Sequence, residues 1–361
     1  MRRLVLLGGG HAHVLVLLSF ADFVSRNLDV KLVTPGSLHT YSGMVPGVVA
    51  GHYAVAEAQI DLAPLAARAG VELVLGSVSS IDLAAKNAVL ENGRAIQYDI
   101  ASLNLGSLPD FSGAPGAREH AIAAKPFEPF LKCWSELLLK GLKAPRIAIA
   151  GAGAGGVEIA MAMKFALASR GMAGEVVLFS DRNMFSPDVA ERIARALRKC
   201  GVQLRTATPV LSVNAGPVVA SSSGSESFDA LFWTAGAAPP PLLRASGIAC
   251  DSRGFARVER TLRSVSHPEV FAAGDSAAFD TDDVPKSGVY AVRQGALLAK
   301  NLKRAVLGET PDRYQPQSKA LALISCGGKY AVASRGNWSA EGSWAWWWKD
   351  WLDRRWIARF S

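Results

Sequence analysis

Two glycine-rich turns, each ending an apolar strand and opening a helix, constrain this 361-residue chain more than any other feature. The first reads Leu4-Val-Leu-Leu-Gly-Gly-Gly-His-Ala-His13, the second Arg146-Ile-Ala-Ile-Ala-Gly-Ala-Gly-Ala-Gly-Gly-Val-Glu158. Such a turn seats a pyrophosphate. Glycine lets the backbone approach the phosphates, and the unpaired N–H groups and positive dipole end of the helix face the anion. Gly151, Gly153 and Gly156 complete the GxGxxG spacing. Gly8 and Gly10 match its first half, and His13 stands where a third glycine would let helix and strand pack closely. A side chain at Gly10 is expected to collide with the phosphates. Together the turns predict an α/β fold with two Rossmann-like dinucleotide-binding units, and two separate nucleotides.

Between and beyond the turns, strand and helix patterns alternate. Residues 30–34 read as a second strand, and at its end Thr34, Pro35 and Gly36 replace the acid that usually holds the adenosine ribose. Residues 39–47 are polar and glycine-rich, as in a segment that lines a site. Asp61 is placed to cap a helix over 62–69. Strand-like runs follow at 71–75, 78–81, 88–90 and 95–98, with Asn92-Gly93 as a hairpin turn, and 100–106 reads as a buried strand. After the second turn come a strand over 176–179 ending at Ser180-Asp181, a helix over 188–200 and a strand over 202–205. Residues 228–236 form another strand candidate, 270–275 a short strand with a buried Gly274-Asp275, and a helix begins within 285–295 and runs to about 306.

Composition narrows the partners. A net charge of +8 and a pI near 9.4 favour anionic ones, but no nucleic-acid motif is present, so no nucleic acid is expected. Cys133, Cys200, Cys250 and Cys326 lie far apart without a CxxC, which argues against a disulfide framework or a metal site and for a reducing cytoplasm. No apolar run approaches the roughly 20 residues of a membrane span. The short apolar run after Met1-Arg-Arg leads into the first turn rather than a cleavage region, so it is not read as a signal peptide.

Taken together, these landmarks resemble the two-dinucleotide-binding-domain flavoproteins of the pyridine nucleotide-disulfide oxidoreductase superfamily, over about residues 1–310. The resemblance implies FAD on the first turn and NAD(P)H on the second. Thr234-Ala-Gly236 is similar to the strand returning from the nicotinamide domain. Phe271-Ala-Ala-Gly-Asp275 is similar to the FAD-closing motif, whose aspartate meets the ribityl or phosphate end of the flavin. The chain then divides into an FAD-binding domain in two parts, 1–112 and 241–312, an inserted NAD(P)H-binding domain over 113–240, and a C-terminal region over 313–361. Gly8, Gly10, His11, Ala12, Thr34, Val78, Gly106, Asp275 and Val289 are the implied FAD contacts. Gly151, Gly153, Gly156, Ser180, Asp181 and Gly236 are those for the nicotinamide nucleotide.

A narrower resemblance is carried by Gly8-Gly-Gly-His-Ala-His13, Tyr41-Ser-Gly-Met-Val-Pro-Gly47, Gly288-Val-Tyr-Ala-Val-Arg-Gln-Gly295 and the stretch 321–336. It points to the NADH-dehydrogenase-like module often fused ahead of selenide, water dikinase, with this chain expected as a free-standing version. Departures from the wider family bear on the electron acceptor. Thr40-Tyr-Ser-Gly-Met-Val45 holds no cysteine where disulfide reductases carry CxxxxC, which excludes a disulfide relay. Of the glutamine-rich helix start of type II NADH:quinone oxidoreductases, only Gln294 is kept over 289–294, so a quinone is an open acceptor.

The implied activity is an FAD-dependent NAD(P)H dehydrogenase passing electrons to a small acceptor. Its candidate catalytic positions are Glu158 beside the nicotinamide, Tyr41 lining the acceptor pocket together with Met44, and Lys286 steadying the N1–O2 edge of reduced flavin. His11 and His13, two residues apart on a helix, face different ways and suit phosphate contact or packing rather than a metal. Oxidation of sulfide or a selenium species would call on Cys133 and Cys326. Cys133, however, follows Phe130 on an amphipathic helix, where a buried cysteine is ordinary. A third reading is a flavin-binding redox partner of selenide, water dikinase. Ser180-Asp181-Arg182 offers both an acid and a base, so NADH and NADPH both stay open, as does a homo-oligomer.

Seven of the nine tryptophans lie at or beyond Trp338. On a helical wheel Trp344, Trp347, Trp348, Trp351 and Leu352 share one face, with Lys349, Asp350 and Asp353 opposite. Too short and charged to span a bilayer, this tail is expected to lie in an anionic lipid interface, placing the protein at the inner face of the cell membrane. Packing of the tryptophan face on the flavin domain or a second copy is the alternative.

Overall fold

A computed structural model of the protein describes residues 1–21, 23–24, 27–280, 284–317 and 319–360. Short apolar runs buried on both faces are what a parallel sheet requires, and two such sheets form. The first has the order Val270–Ala272, Ile100–Leu103, Arg2–Leu7, Leu28–Thr34, Glu72–Leu75, and all its pairings are parallel. The second has the order Ile122–Ala123, Ala230–Trp233, Arg146–Ala150, Glu175–Phe179, Val202–Arg205, again parallel. In each sheet the strand leading into a glycine turn is central. The chain leaves it towards one neighbour and returns on the other side, so both turns emerge where the strand order reverses, the usual seat of a ligand in an open α/β sheet.

Gly8 (φ +96°) and Gly151 (φ +103°) make the turns themselves, in a backbone region that L side chains rarely adopt. The helices that follow are His11–Phe20 and Ala154–Ser169. His13 does not leave the close approach of helix and strand that a third glycine would. It is fully buried, with Nδ1 2.6 Å from the Gly8 carbonyl and Nε2 2.8 Å from Ser102 Oγ, so it fills that space and bonds across it. The close helix contact lies instead at Gly295 of the helix Gly288–Leu307, where a Cβ would come within 2.9 Å of Ala12 Cα.

Other expected elements form near their expected bounds: Leu62–Arg68, with Asp61 Oδ1 accepting from the Ala63 N–H at 2.9 Å, and Pro187–Cys200. Helix Phe127–Leu139 buries Phe130, Leu131, Trp134 and Leu137 against the second sheet's core. Each unit also carries an antiparallel three-stranded sheet just before its return strand. The Asn92-Gly93 hairpin belongs to one over Val78–Asp82, Asn87–Leu90 and Ala95–Gln97. Its counterpart over Val210–Asn214, Val218–Ser221 and Gly224–Ser227 is not announced by the serine-rich sequence there.

Beyond residue 320 a third antiparallel sheet (Leu321–Ser325, Ala331–Arg335, Trp338–Gly342) leads into the tail helix Ser343–Ile357. The sheet packs on helices of the second unit: Glu341 pairs with Arg192 and Arg195, and a Cβ on Gly327 would come within 2.4 Å of the Met161 carbonyl. The tail helix then crosses to the first unit. Among the described residues no helix is long and apolar enough to cross a membrane.

Candidate functional site

At the first turn the N–H groups of Gly9, Gly10 and His11 have no protein acceptor among the described residues, which leaves open donors at a helix start. The Ala12 N–H is already taken by Asn104 Oδ1 at 3.0 Å, while Asn104 Nδ2 donates to the Ala273 carbonyl at 2.9 Å. Asn104, at the end of the return strand, thus ties the turn to the segment before Asp275. It also changes the meaning of Gly10: a Cβ there would meet Asn104 Oδ1 at 2.4 Å, so the first collision is with protein rather than phosphate. Thr34 is buried against the turn, its Oγ1 2.9 Å from where a Gly9 Cβ would be. Asp275 is buried and accepts from Ser107 Oγ (2.8 Å) and Lys125 Nζ (2.9 Å). Gly106 (φ +74°) accepts from Ser276 Oγ, Val78 begins the antiparallel sheet, and Val289 is exposed at the start of its helix. Open N–H donors and a cradle without side chains fit a dinucleotide here.

The second turn repeats the plan. A Cβ on Gly156 would lie 1.8 Å from the Gly151 carbonyl, which is the tight closure that a third glycine permits. Gly153 faces open space, with nothing within 4 Å of an added Cβ. Thr234 Oγ1 reaches the Ala150 and Gly151 carbonyls at 2.9 and 2.8 Å and holds the return strand to the turn, ahead of Gly236 (φ +65°). Ser180 is buried at the tip of Glu175–Phe179, and Asp181 is exposed beside it.

Between the two turns lies a polar cluster assembled from four parts of the chain. Glu158, on the helix of the second turn, accepts from the Ser325 N–H (2.9 Å) and Oγ (3.0 Å). Burial lifts its carboxyl above the ordinary range, against the pull of Lys349 and the Ser325 bonds. Tyr41 donates to Asp353 Oδ1 at 3.1 Å, and burial followed by the Asp353 charge raises its hydroxyl pKa. Lys349 donates to the Gly43 carbonyl and to Asp353 Oδ2, both at 2.6 Å. Burial opposes its charge, but Asp353 and Glu158 outweigh burial and hold the ammonium above its ordinary value. Tyr41 also lies 5.5 Å from the His11 ring, which stacks edge-on to His39 at 4.6 Å. Burial, with the Lys125 charge, holds His11 down to about 4, so at neutral pH it meets the first turn as a neutral ring. Met44 is buried with Tyr53 and Ala58. Lys286 lies apart from this cluster: its ammonium donates to the Ala277 carbonyl and sits 4.3 Å over the Phe255 ring.

The sequence matches the model of the pyridine nucleotide-disulphide oxidoreductase family over residues 2–295. The chain belongs to that family. Within it, the chain is 24% identical to the NADH dehydrogenase-like protein YutJ of Bacillus subtilis, covering 92% of this chain and 91% of that one. It is also 24% identical to the type II NADH:quinone oxidoreductase of Staphylococcus epidermidis, covering 87% and 85%. The fold is similar to that of the sulfide:quinone oxidoreductase of Aquifex aeolicus, with a TM-score of 0.81 at 17% identity over 100% of this chain and 91% of the other. Membership establishes a flavin- and NAD(P)H-linked oxidoreductase at the family level. The narrower likeness to a module fused to selenide, water dikinase finds no support in these relatives.

Three site residues escape the sequence. Asn104, Lys125 and Lys349 carry no motif, and each bonds a partner far along the chain: Ala12 is 92 positions from Asn104, Asp275 is 150 from Lys125, and Gly43 is 306 from Lys349. The cysteines are all unpaired thiols. Cys326 is buried, and its neighbour is Cys200, whose Sγ lies 3.4 Å from the Cys326 carbonyl; burial pushes the Cys326 thiol up to about 12. Among the described residues no group of His, Cys, Asp and Glu could hold a metal.

Proposed function

We propose that the protein is an FAD-dependent NAD(P)H dehydrogenase that serves a small acceptor, with a quinone as first candidate. FAD would occupy the first turn and supply the two-electron chemistry between nicotinamide and acceptor. Gly8, Gly9, Gly10 and His11 would bind its pyrophosphate, and Thr34, Val78, Gly106 and Val289 would line its length. Asp275 would meet the ribityl end with its carboxylate fixed by Lys125 and Ser107. Gly151, Gly153 and Gly156 would hold the nicotinamide nucleotide, with Ser180, Asp181 and Gly236 beside its ribose and return strand. Glu158 would border the nicotinamide, and Tyr41 the acceptor. Lys286, just ahead of the helix Gly288–Leu307, is the candidate cation for the flavin N1–O2 edge.

The observation that carries this reading is the pair of matching cradles joined by the Glu158–Lys349–Asp353–Tyr41 cluster, which brings the two units to one polar centre. The quinone part draws on relatives whose names state that acceptor. It also draws on the tail helix, whose tryptophan face looks outward and suits a lipid surface where a quinone would be found. Steady-state oxidation of NADH and NADPH by the purified yellow protein, with and without a short-chain quinone, tests it. Quinone-dependent turnover is expected, and nucleotide oxidation that no quinone accelerates would refute the quinone assignment. Sulfide chemistry would need a reactive thiolate at Cys326, which burial disfavours; Cys326→Ser is expected to keep full activity.

A further inference from the structure

The family assignment leaves open which nicotinamide nucleotide the second turn takes, and three adjacent residues bear on it. NAD-specific sites place a carboxylate at the tip of the second strand, where it accepts hydrogen bonds from the ribose 2′-hydroxyl and repels a 2′-phosphate. Here the strand Glu175–Phe179 ends at Ser180. Ser180 is buried, its N–H donates to the Arg205 carbonyl, and its hydroxyl donates to the Arg182 carbonyl at 2.8 Å. The tip residue is therefore short, neutral and engaged in holding its own turn.

The nearest carboxylate, Asp181, points into solvent with 60% of its side chain exposed, and Arg182 beside it is 73% exposed. Their closest approach is 3.8 Å, an exposed contact of the kind worth little. Arg182 can leave it at small cost. A phosphate dianion would offer the guanidinium a stronger, bidentate partner. At this tip, then, a neutral serine stands where repulsion would arise, and a loosely held arginine stands within the same three-residue turn.

We infer that the second turn selects NADPH over NADH, with Arg182 as the residue that recognises the 2′-phosphate and Ser180 as the residue that admits it. This rests on the reading that a nicotinamide nucleotide occupies that turn.

The test is calorimetric binding of NADP+ and NAD+ to the flavin-loaded protein, which needs no turnover. NADP+ is expected to bind at least about tenfold tighter than NAD+, and the gap should narrow as salt rises, because an exposed guanidinium–phosphate contact is screened. Arg182→Ala should loosen NADP+ to the level of NAD+ and leave NAD+ unchanged. Asp181→Asn should tighten NADP+, since it removes the competitor for Arg182. Ser180→Glu should reverse the preference. NAD+ binding as tightly as NADP+, or NAD+ loosened by Asp181→Asn, would overturn the inference by showing that Asp181 holds the ribose. Failure of both nucleotides to bind would overturn the nucleotide assignment of the turn itself, and the preference with it.

Discussion

Glycines that look equivalent in the sequence are not equivalent as probes. Gly10→Val would drive a side chain into Asn104, which caps the first helix, so loss of flavin from that variant would report broken protein packing. Gly153 faces open space, and its φ of −69° suits any residue. Gly153→Val is therefore expected to leave the fold and the flavin in place and to raise the Michaelis constant for the nicotinamide nucleotide about tenfold, or about 1.4 kcal/mol. An unchanged constant would make the second turn structural. His13 provides a different residue-scale test. With Nδ1 at the Gly8 carbonyl and Nε2 accepting from Ser102, the neutral ring satisfies both partners, and burial holds it down to about 4 from 6.5. The folded protein thus binds this proton more weakly than the unfolded chain. The stability linked to it is complete above pH 6.5 and is lost as pH falls towards 4, up to about 3 kcal/mol. Urea denaturation across that window should show a loss smaller in His13→Gln by about this amount, while His11 and His39, which burial also holds low, contribute in both proteins. That the turn glycines mattered was legible from their spacing. That His13 would bond across the turn was not, because Ser102 lies on a strand paired with the first only in the folded sheet.

At the scale of the element, the tail helix shows how far a helical wheel reaches. The wheel places tryptophans on one side and Lys349, Asp350 and Asp353 on the other, and both sides form as read. Which side meets protein is the reverse of the usual order. Asp353 is buried and Lys349 half-buried against Tyr41 and Gly43, and Asp350 accepts from Tyr53 at 2.6 Å. Arg354 bonds Asp350 and Glu57 across the same seam. Trp338, Trp344, Trp347, Trp348 and Trp351 are left 38–53% exposed, and Leu352 is half-buried. Trp344 stacks on Trp348 at 6.3 Å and lies tilted to Trp338 at 6.4 Å, while Lys329 and Arg355 lie over neighbouring rings. Of the seven tryptophans from Trp338 onward, Trp346 and Trp356 are the buried ones. The orientation was hidden because the buried charges find partners some 300 positions away, as in the Lys349–Gly43 bond (306 apart). Each basic residue near an anionic bilayer contributes roughly 1 kcal/mol beyond the tryptophans' own preference for the interface. Trp347→Ser with Trp351→Ser should abolish sedimentation with anionic vesicles at low salt and leave the melting temperature nearly unchanged. Deletion after Gly342 should instead lower the melting temperature, because it strips Tyr41, Tyr53 and Glu57 of their partners. Undiminished sedimentation of the double variant would contradict the lipid reading.

Across the whole molecule the two parallel sheets share the order of four adjacent strands and differ in the origin of the remaining edge strand, and the two units were legible because each repeats strand, turn, helix and strand with buried apolar runs. The third sheet and its role were not. Residues 321–342 carry little alternation, yet they seat Ser325 on Glu158 and lead the tail helix across to the first unit, so the C-terminal region links both cradles. The central claim is that these two cradles act as a pair, one for FAD and one for NAD(P)H, with electrons passing between them. Anaerobic addition of one equivalent of NADPH or NADH to the yellow protein, followed by its visible spectrum, tests that claim most directly. The account predicts that the flavin band bleaches with the better-bound nucleotide, returns when a short-chain quinone is added, and bleaches only at higher nucleotide in Gly153→Val. A flavin band that stays unchanged while both nucleotides remain reduced would contradict it.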